Sequence, residues 1–160
     1  MTEWIESTIA EFVSSGENSL RNQEGEPAWG RPLVGFSRGD DPLWAELKAD
    51  IGDFYWTPAE VFSSSFPSVA ARPEELSVIC WILPQTERTK EDHRKEREFP
   101  SERWSRSRKY GEEFNAKLRV RVVDALREHG SEAAAPQLSP RWKTVQSEKY
   151  GLSSPWSERH

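Results

Sequence analysis

The periodic recurrence of apolar residues predicts four helices along the chain. The first runs from Thr2 to about Ser14, and the second opens at Asp41-Pro42 and ends near Ile51. The third begins at Thr57-Pro58-Ala59-Glu60, a capping box whose threonine and glutamate can each satisfy a backbone N–H of the first turn. The fourth is the longest, and it covers about 101–129 between a Ser101 cap and a left-handed C-cap at Gly130.

Shorter apolar runs predict three strands. The strongest is 76–83, which is continuously apolar, as expected for a central strand covered on both faces. Residues 33–37 and 133–135 are weaker candidates, and the polar segment 85–100 is predicted to be an ordered loop or a frayed helix. The order of these elements predicts an α/β fold, with a small incomplete sheet flanked by helices and an irregular C-terminal segment.

In such a sheet, ligands gather at the carboxyl ends of the strands. The segments that follow the three predicted strands are 37–41, 84–90 and 136–143. We therefore expect these three segments to share one rim, where a ligand site would lie.

Composition limits the domain count and the class of partner. The chain has 160 residues, of which 35% are hydrophobic and 31% charged, so we expect one solvated domain over 1–160. The net charge of −5 argues against general nucleic-acid binding. Eight tryptophans are unusual at this length; core packing explains them most simply, and walls of pockets or partly wet interfaces are the alternative.

The content of cysteine, histidine and glycine excludes several kinds of site. The one cysteine, Cys80, is expected to pack as a small buried hydrophobe, and alone it supports neither a disulfide framework nor an iron–sulfur cluster. The three histidines lack zinc-ligand spacing, and no phosphate-binding glycine motif is present, so no metal site is predicted. The first residues are acidic and amphipathic, and no apolar run reaches membrane-spanning length, so we expect a cytoplasmic protein.

The start of the long predicted helix is rich in cations and aromatic rings. Cations at a helix N-terminus oppose the helix dipole, and an anionic partner such as RNA would explain them. The alternative is a solvated charged face with the two aromatic side chains in the core. The residues concerned are Arg103, Arg106, Arg108 and Lys109, together with Trp104 and Tyr110.

Several segments, in this order and spacing, resemble the front half of the epoxyqueuosine reductase family, and most closely its divergent branch of iron–sulfur proteins. They are residues 32–36, 78–84, 104–115, 138–143 and 157–160. The resemblance implies an oxidoreductase that reduces epoxyqueuosine to queuosine in tRNA. It also implies cobalamin bound in an α/β domain, and two four-iron clusters in a ferredoxin-like domain that follows it.

The resemblance also implies roles for particular residues. Glu158 stands where the family has its proposed proton donor, although better-known members carry Asp there. Ser139, Trp142 and Arg159 fall in the segments that would contact cobalamin. The cluster cysteines of the family are not in this sequence, so whether the chain acts as an enzyme is left open, and no cluster is expected in it.

The last residues of the sequence resemble the opening of a further helix. Pro155 and the 157–158 pair have the character of a helix start, but too few residues follow to form one. We therefore expect the chain to stop short of a cluster domain and to be inactive alone. Trp142 and Trp156 are expected to be unusually exposed, or covered by a missing domain or by self-association.

Overall fold

The computed structural model describes residues 1–156, and the fold is α/β. Four separate helices are α1 (Thr2–Val13), α2 (Pro42–Ile51), α3 (Pro58–Ser65) and α4 (Glu87–Lys95). A long helix follows, made of α5 (Glu102–Arg106), a π-helical segment (Ser107–Gly111) and α6 (Glu112–Glu128). The strands are β1 (Leu33–Arg38), β2 (Ser77–Ile82), β3 (Val145–Ser147) and β4 (Gly151–Ser153), and short 3₁₀ turns lie at Pro73–Glu75 and Pro136–Leu138.

The strands form two separate ribbons rather than one sheet. β1 pairs with β2, and β3 pairs with β4 in antiparallel register, with Gln146 opposite Leu152. The first ribbon is antiparallel as well, because the N–H of Gly39 donates to the carbonyl of Leu76 at one end. The predicted class, α/β with little sheet and one long helix, is confirmed.

The chain divides into two compact units, and each contains two segments of sequence. Unit 1 contains Met1–Gly35 and Trp81–His129, and unit 2 contains Phe36–Cys80 and Gly130–His160. Whether the two units unfold together is a thermodynamic property, and the single domain over 1–160 stays a prediction.

Unit 1 is built around the contact between α1 and α6. The buried face of α1 follows the helical period, with Ile5, Ile9 and Val13 at one turn after another. On α6 the fully buried Leu118 lies one turn after Phe114, whose ring stacks on Phe12 with centroids 5.2 Å apart. Apolar burial therefore joins two helices that are far apart in sequence.

The π-helical segment fits around Trp29. The Trp29 indole N–H donates to the carbonyl of Gly111 at 3.0 Å, and a Cβ on that glycine would lie 2.6 Å from the ring. Nearby, the Gln85 amide donates to the Ser107 hydroxyl at 3.0 Å. The widened turn thus gains hydrogen-bond partners from elsewhere in unit 1.

Unit 2 is held by caps and polar links. The Thr57 and Glu60 capping box is present, with the Glu60 carboxylate accepting from the Thr57 N–H at 2.8 Å. The Lys48 ammonium donates to the carbonyls of Asp53 and Tyr55, each at 2.8 Å. The Ser147 hydroxyl, in β3, donates to the carbonyl of Ile51 at 3.1 Å.

Most of the predicted helices are confirmed at their ends. α2 begins at Pro42 behind its Asp41 cap, whose carboxylate accepts from the Leu43 N–H. The Ser101 hydroxyl accepts from the Trp104 N–H, and Gly130 has φ of +86° after the last turn of α6. These positions were predictable because each cap acts within one turn of its own helix.

The strand predicted at 76–83 is present as β2, but the prediction that it is a central strand covered on both faces is wrong. β2 lies in a two-stranded ribbon, no residue of it is buried, and Ile82 is 65% exposed. Cys80, predicted to be buried, is exposed. The predicted rim is also wrong, because antiparallel pairing puts the end of β1 beside the start of β2, whereas a shared rim needs parallel strands.

Two further segments differ from prediction, and a third matches one of two alternatives. Residues 133–135 form no strand. Residues 87–95 form the helix α4, in agreement with the helical alternative for 85–100 and not with the loop. The segment after Pro140, predicted to be irregular, contains the β3–β4 hairpin. The hairpin is anchored by contacts with residues about a hundred positions earlier, which local pattern does not reveal.

Candidate functional site

The cations at the start of the long helix pair with carboxylates of unit 1. The Arg103 guanidinium contacts Glu26 at 2.9 Å, and Glu24 and Asp92 at 3.2 Å each. Its side chain is 21% exposed, and that of Glu26 is 12% exposed. Arg88, from α4, also pairs with Glu26 at 2.7 Å. This cluster therefore joins the 14–31 loop to α4 and α5.

The charges in this cluster stabilise one another. Burial alone would raise the pKa of Glu26, but hydrogen bonds from Arg103 and Asn22 outweigh it, and the pKa lies below its usual value. The hydrogen bond to Glu26 in turn raises the pKa of Arg103. Both groups are therefore charged throughout the neutral range, as a structural ion pair requires.

The remaining cations of the segment also have partners within the chain. Arg106 donates to Glu102 at 2.7 Å and to the carbonyl of Arg21 at 2.9 Å. Arg108 pairs with Glu112 at 3.0 Å. The Lys109 ammonium lies 5.3 Å from the centroid of the Tyr110 ring. An anionic partner would have to compete with these contacts, and binding of RNA or another anion through Arg103, Arg106, Arg108 and Lys109 stays a prediction.

Trp104 and Tyr110 serve packing in unit 1. The Trp104 ring stacks on His93, with centroids 5.2 Å apart and planes 14° from parallel. The Arg21 guanidinium lies 4.6 Å from the Tyr110 centroid, and Arg21 has a positive φ of 51°. The loop residue is thus held over the helix by its side chain.

The residues that the family resemblance assigns to cobalamin lie in unit 2. Ser139 and Trp142 are adjacent in one turn, because the Trp142 N–H donates to the Ser139 carbonyl at 3.0 Å. The Trp142 ring meets Trp56 edge to face, with centroids 6.3 Å apart. Both named residues are half-buried, so each keeps part of its surface in contact with solvent.

The expectation that Trp142 and Trp156 are unusually exposed is wrong. Both are half-buried, and Trp156 stacks on Trp44 with centroids 5.2 Å apart. The Trp56 N–H donates to the Pro155 carbonyl at 2.7 Å, which fixes the 155–156 segment against the start of α3. Glu158 and Arg159 lie outside the described residues, so their predicted roles have no structural account.

Sequence reasoning missed an open trough along α1 and α6 in unit 1. Its volume is about 510 Å³, and charged, aromatic and small side chains line it. Its polar positions on α6 recur at helical spacing, but the same pattern is typical of any solvated helix face. Only the structure places these residues opposite those of α1.

Within residues 1–156, no three histidine, cysteine, aspartate or glutamate side chains lie close enough together to hold a metal ion. In the same part of the chain no helix has the length and apolarity needed to span a bilayer. Comparison of the chain with protein-family models, with curated proteins and with solved structures finds no match.

Proposed function

We propose that the chain is the cobalamin-binding N-terminal region of an oxidoreductase resembling epoxyqueuosine reductases, which acts in the cytoplasm on queuosine in tRNA. The observation that carries the proposal is the order and spacing of five sequence segments, 32–36, 78–84, 104–115, 138–143 and 157–160. The first two supply most of the paired strands β1 and β2, and the third spans the π-helical segment. The resemblance therefore falls on structured elements as well as on loops.

The residues of unit 2 are compatible with a corrinoid, which has a broad planar face rimmed by amide groups. Aromatic faces suit the ring, and a hydroxyl can exchange hydrogen bonds with the amides. The half-buried Trp142 ring and the Ser139 hydroxyl, which accepts from the Arg141 N–H at 3.2 Å, are such groups. Bound cobalamin would supply a cobalt centre able to deliver electrons for reductive opening of a carbon–oxygen bond.

The protein's own contribution to the reaction is binding, orientation and proton supply. Opening an epoxide reductively requires a proton for the departing oxygen, and Glu158 is the proposed donor by resemblance. The one cysteine in the sequence is too few for a four-iron cluster, which generally takes four thiolates. The chain alone is therefore proposed to bind cofactor without turning over.

Cobalamin binding tests this proposal directly. Hydroxocobalamin titrated into the purified chain should give a saturable change in its visible spectrum, and should co-elute with the protein on gel filtration. Trp142→Ala should weaken binding about tenfold or more, as expected for the loss of an aromatic face that contacts the ligand, whereas Tyr150→Ala should not. Tyr150 is a suitable control because it is an aromatic residue of the same unit that is 52% exposed.

Two results would contradict the proposal. One is the absence of any spectral change at about 1 mM hydroxocobalamin, a concentration that detects even weak binding. The other is the appearance of stoichiometric four-iron clusters after anaerobic reconstitution of this chain, because its one thiol cannot ligate them.

A further inference from the structure

The trough between α1 and α6 has the size and the lining of a small-molecule site. Its volume of about 510 Å³ falls within the range common for ligand pockets. It lies wholly within unit 1 and is separate from the residues assigned to cobalamin. The aromatic and charged side chains that line the trough include Trp4, Glu11, Phe12, Arg121, Glu128 and His129.

Aromatic pairs fix the walls of the trough at two places. Trp4 stacks on His129 with centroids 4.6 Å apart and planes 19° from parallel. Two turns further along α1, Phe12 stacks on Phe114. Between them Ala125, which is small and buried, leaves room above the α6 backbone. The trough is therefore a groove with rigid aromatic walls rather than a gap between loose side chains.

The charged groups in the trough are unneutralised. Within residues 1–156, the side chains of Glu11, Arg121 and Glu128 take part in no ion pair or hydrogen bond. Some other charges on the long helix of unit 1 and its neighbours do pair, as Lys117 does with Glu17 and Arg21 with Glu113. A cation and two anions that face one groove without pairing are free to bind a ligand that carries both signs of charge.

The spacing of these charges sets the length of the ligand. Arg121 and Glu128 are two turns apart on α6, which corresponds to roughly 10 Å along the helix axis. Three residues of extended peptide span about the same distance between their charged ends. The geometry points to a short peptide, bound extended as a zwitterion, with its carboxylate on Arg121 and its ammonium group on Glu128. Trp4, on His129, flanks the ammonium end of the peptide and Phe12, on Phe114, flanks its carboxylate end, while Glu11 accepts from the peptide N–H groups.

Triglycine is the probe that tests this inference. Isothermal titration of the whole chain with triglycine should give saturable heat with a dissociation constant of about 1 mM or tighter. N-acetyl-triglycine lacks the ammonium group and triglycine amide lacks the carboxylate, so each should bind about tenfold or more weakly. Equal heats from all three peptides, or no heat from triglycine at about 10 mM, would overturn the proposal.

Charge variants distinguish specific binding of triglycine in the trough from non-specific binding elsewhere on the surface. Arg121→Gln and Glu128→Gln should each weaken triglycine binding about tenfold or more, while Asp124→Asn and Arg94→Gln should leave it unchanged. The two control residues are exposed charges outside the trough, one on α6 and one on α4. Unchanged thermal unfolding of every variant shows that the fold is intact.

Charge reversal gives the sharpest result. Arg121→Glu alone and Glu128→Arg alone should abolish binding, and the double variant should regain it because a peptide can then bind in the opposite direction. Failure of the double variant to regain binding, with its fold intact, would overturn the assignment of the two ends. None of these measurements involves cobalamin, so they stand independently of the proposed function.

Discussion

Different kinds of interaction stabilise the interior of unit 1 and that of unit 2. Prolines aside, eleven of the apolar side chains buried in residues 1–156 lie in unit 1 and two, Tyr55 and Val61, lie in unit 2. Unit 2 relies on the capping box, on Lys48 bridging backbone carbonyls, and on half-buried tryptophan pairs. Burial of apolar area is the larger source of stability, so unit 1 should be the more stable. Unit 2, whose tryptophan pairs are only half-buried, should open at a lower free energy than unit 1.

The largest expected effect is the loss of a core side chain from unit 1. Leu118→Ala removes a fully buried side chain between α6 and its neighbours, and should lower the free energy of unfolding by about 2–5 kcal/mol. Urea denaturation followed by circular dichroism measures the loss. Val120→Ala, at a position 44% exposed on the same helix, should change stability by less than about 0.5 kcal/mol. Similar losses in the two variants would remove the basis for a dominant core in unit 1.

The second effect concerns the contact between Trp29 and the π-helical segment. Gly111→Ala places a methyl group against the indole ring, and should destabilise the protein by about 1–3 kcal/mol in spite of the better helix propensity of alanine. Gly16→Ala is the matched control, because a Cβ there meets no atom within 4 Å. Equal unfolding temperatures of the two variants would mean that the π-helical segment accommodates the added methyl group without cost.

A smaller effect is expected from the cap of α3 in unit 2. Thr57→Ala deletes the hydroxyl that accepts from the Glu60 N–H, and should cost about 0.5–2 kcal/mol. Amide hydrogen exchange in low concentrations of urea, followed residue by residue, reports on each unit separately. Thr144→Ala, an exposed residue outside any helix or strand, should be neutral. If the signals of both units shift together in Thr57→Ala, the two units unfold as one domain.

The smallest effect is a pH dependence at the β3–β4 hairpin. Hydrogen bonds from Lys149 and Tyr150 hold the pKa of Asp50 below its usual value. The resulting stabilisation is present above the ordinary aspartate pKa and is lost as the pH falls through the lower folded value. Asp50→Asn should remove this part of the acid sensitivity, and its size is small because the carboxylate is about half exposed. Urea midpoints measured from pH 6 downwards test this; parallel curves for the two proteins would contradict it.

What could be predicted from sequence follows the range of the interactions involved. The ends of α2 and α3 were predictable because Asp41 and Thr57 bond within the next turn of chain. For 85–100 the choice between a loop and a frayed helix stayed open, because the only buried residue of α4 is Thr89 and apolar periodicity gave no signal. Its Thr86 cap, with Glu87 in the first turn and basic residues in the last, was a signal that could have identified it.

The rest depends on contacts that no local pattern encodes. An apolar run such as 77–82 is compatible with both a covered central strand and a strand of a two-stranded ribbon. Only the elements packed around the strand distinguish these two settings. The cations at 103–108 suggested an anionic ligand, while the acids that pair with Arg103 lie partly in the loop before β1. The presence of Arg121 and Glu11 in the lining of one trough likewise requires the packing of α1 on α6.

The division of unit 1 into two segments has a consequence for synthesis of the chain. α1 is synthesised well before its packing partner α6, which ends at Glu128. Translation proceeds at about 5–20 residues per second, so the apolar side chains of Ile5, Ile9 and Val13 stay unpacked for on the order of 5–20 s before α6 is complete. During that interval, the apolar face of α1 is available to chaperones or to other nascent chains. The yield of folded protein should therefore depend more on the translation rate between α1 and α6 than on the translation rate of the residues after α6.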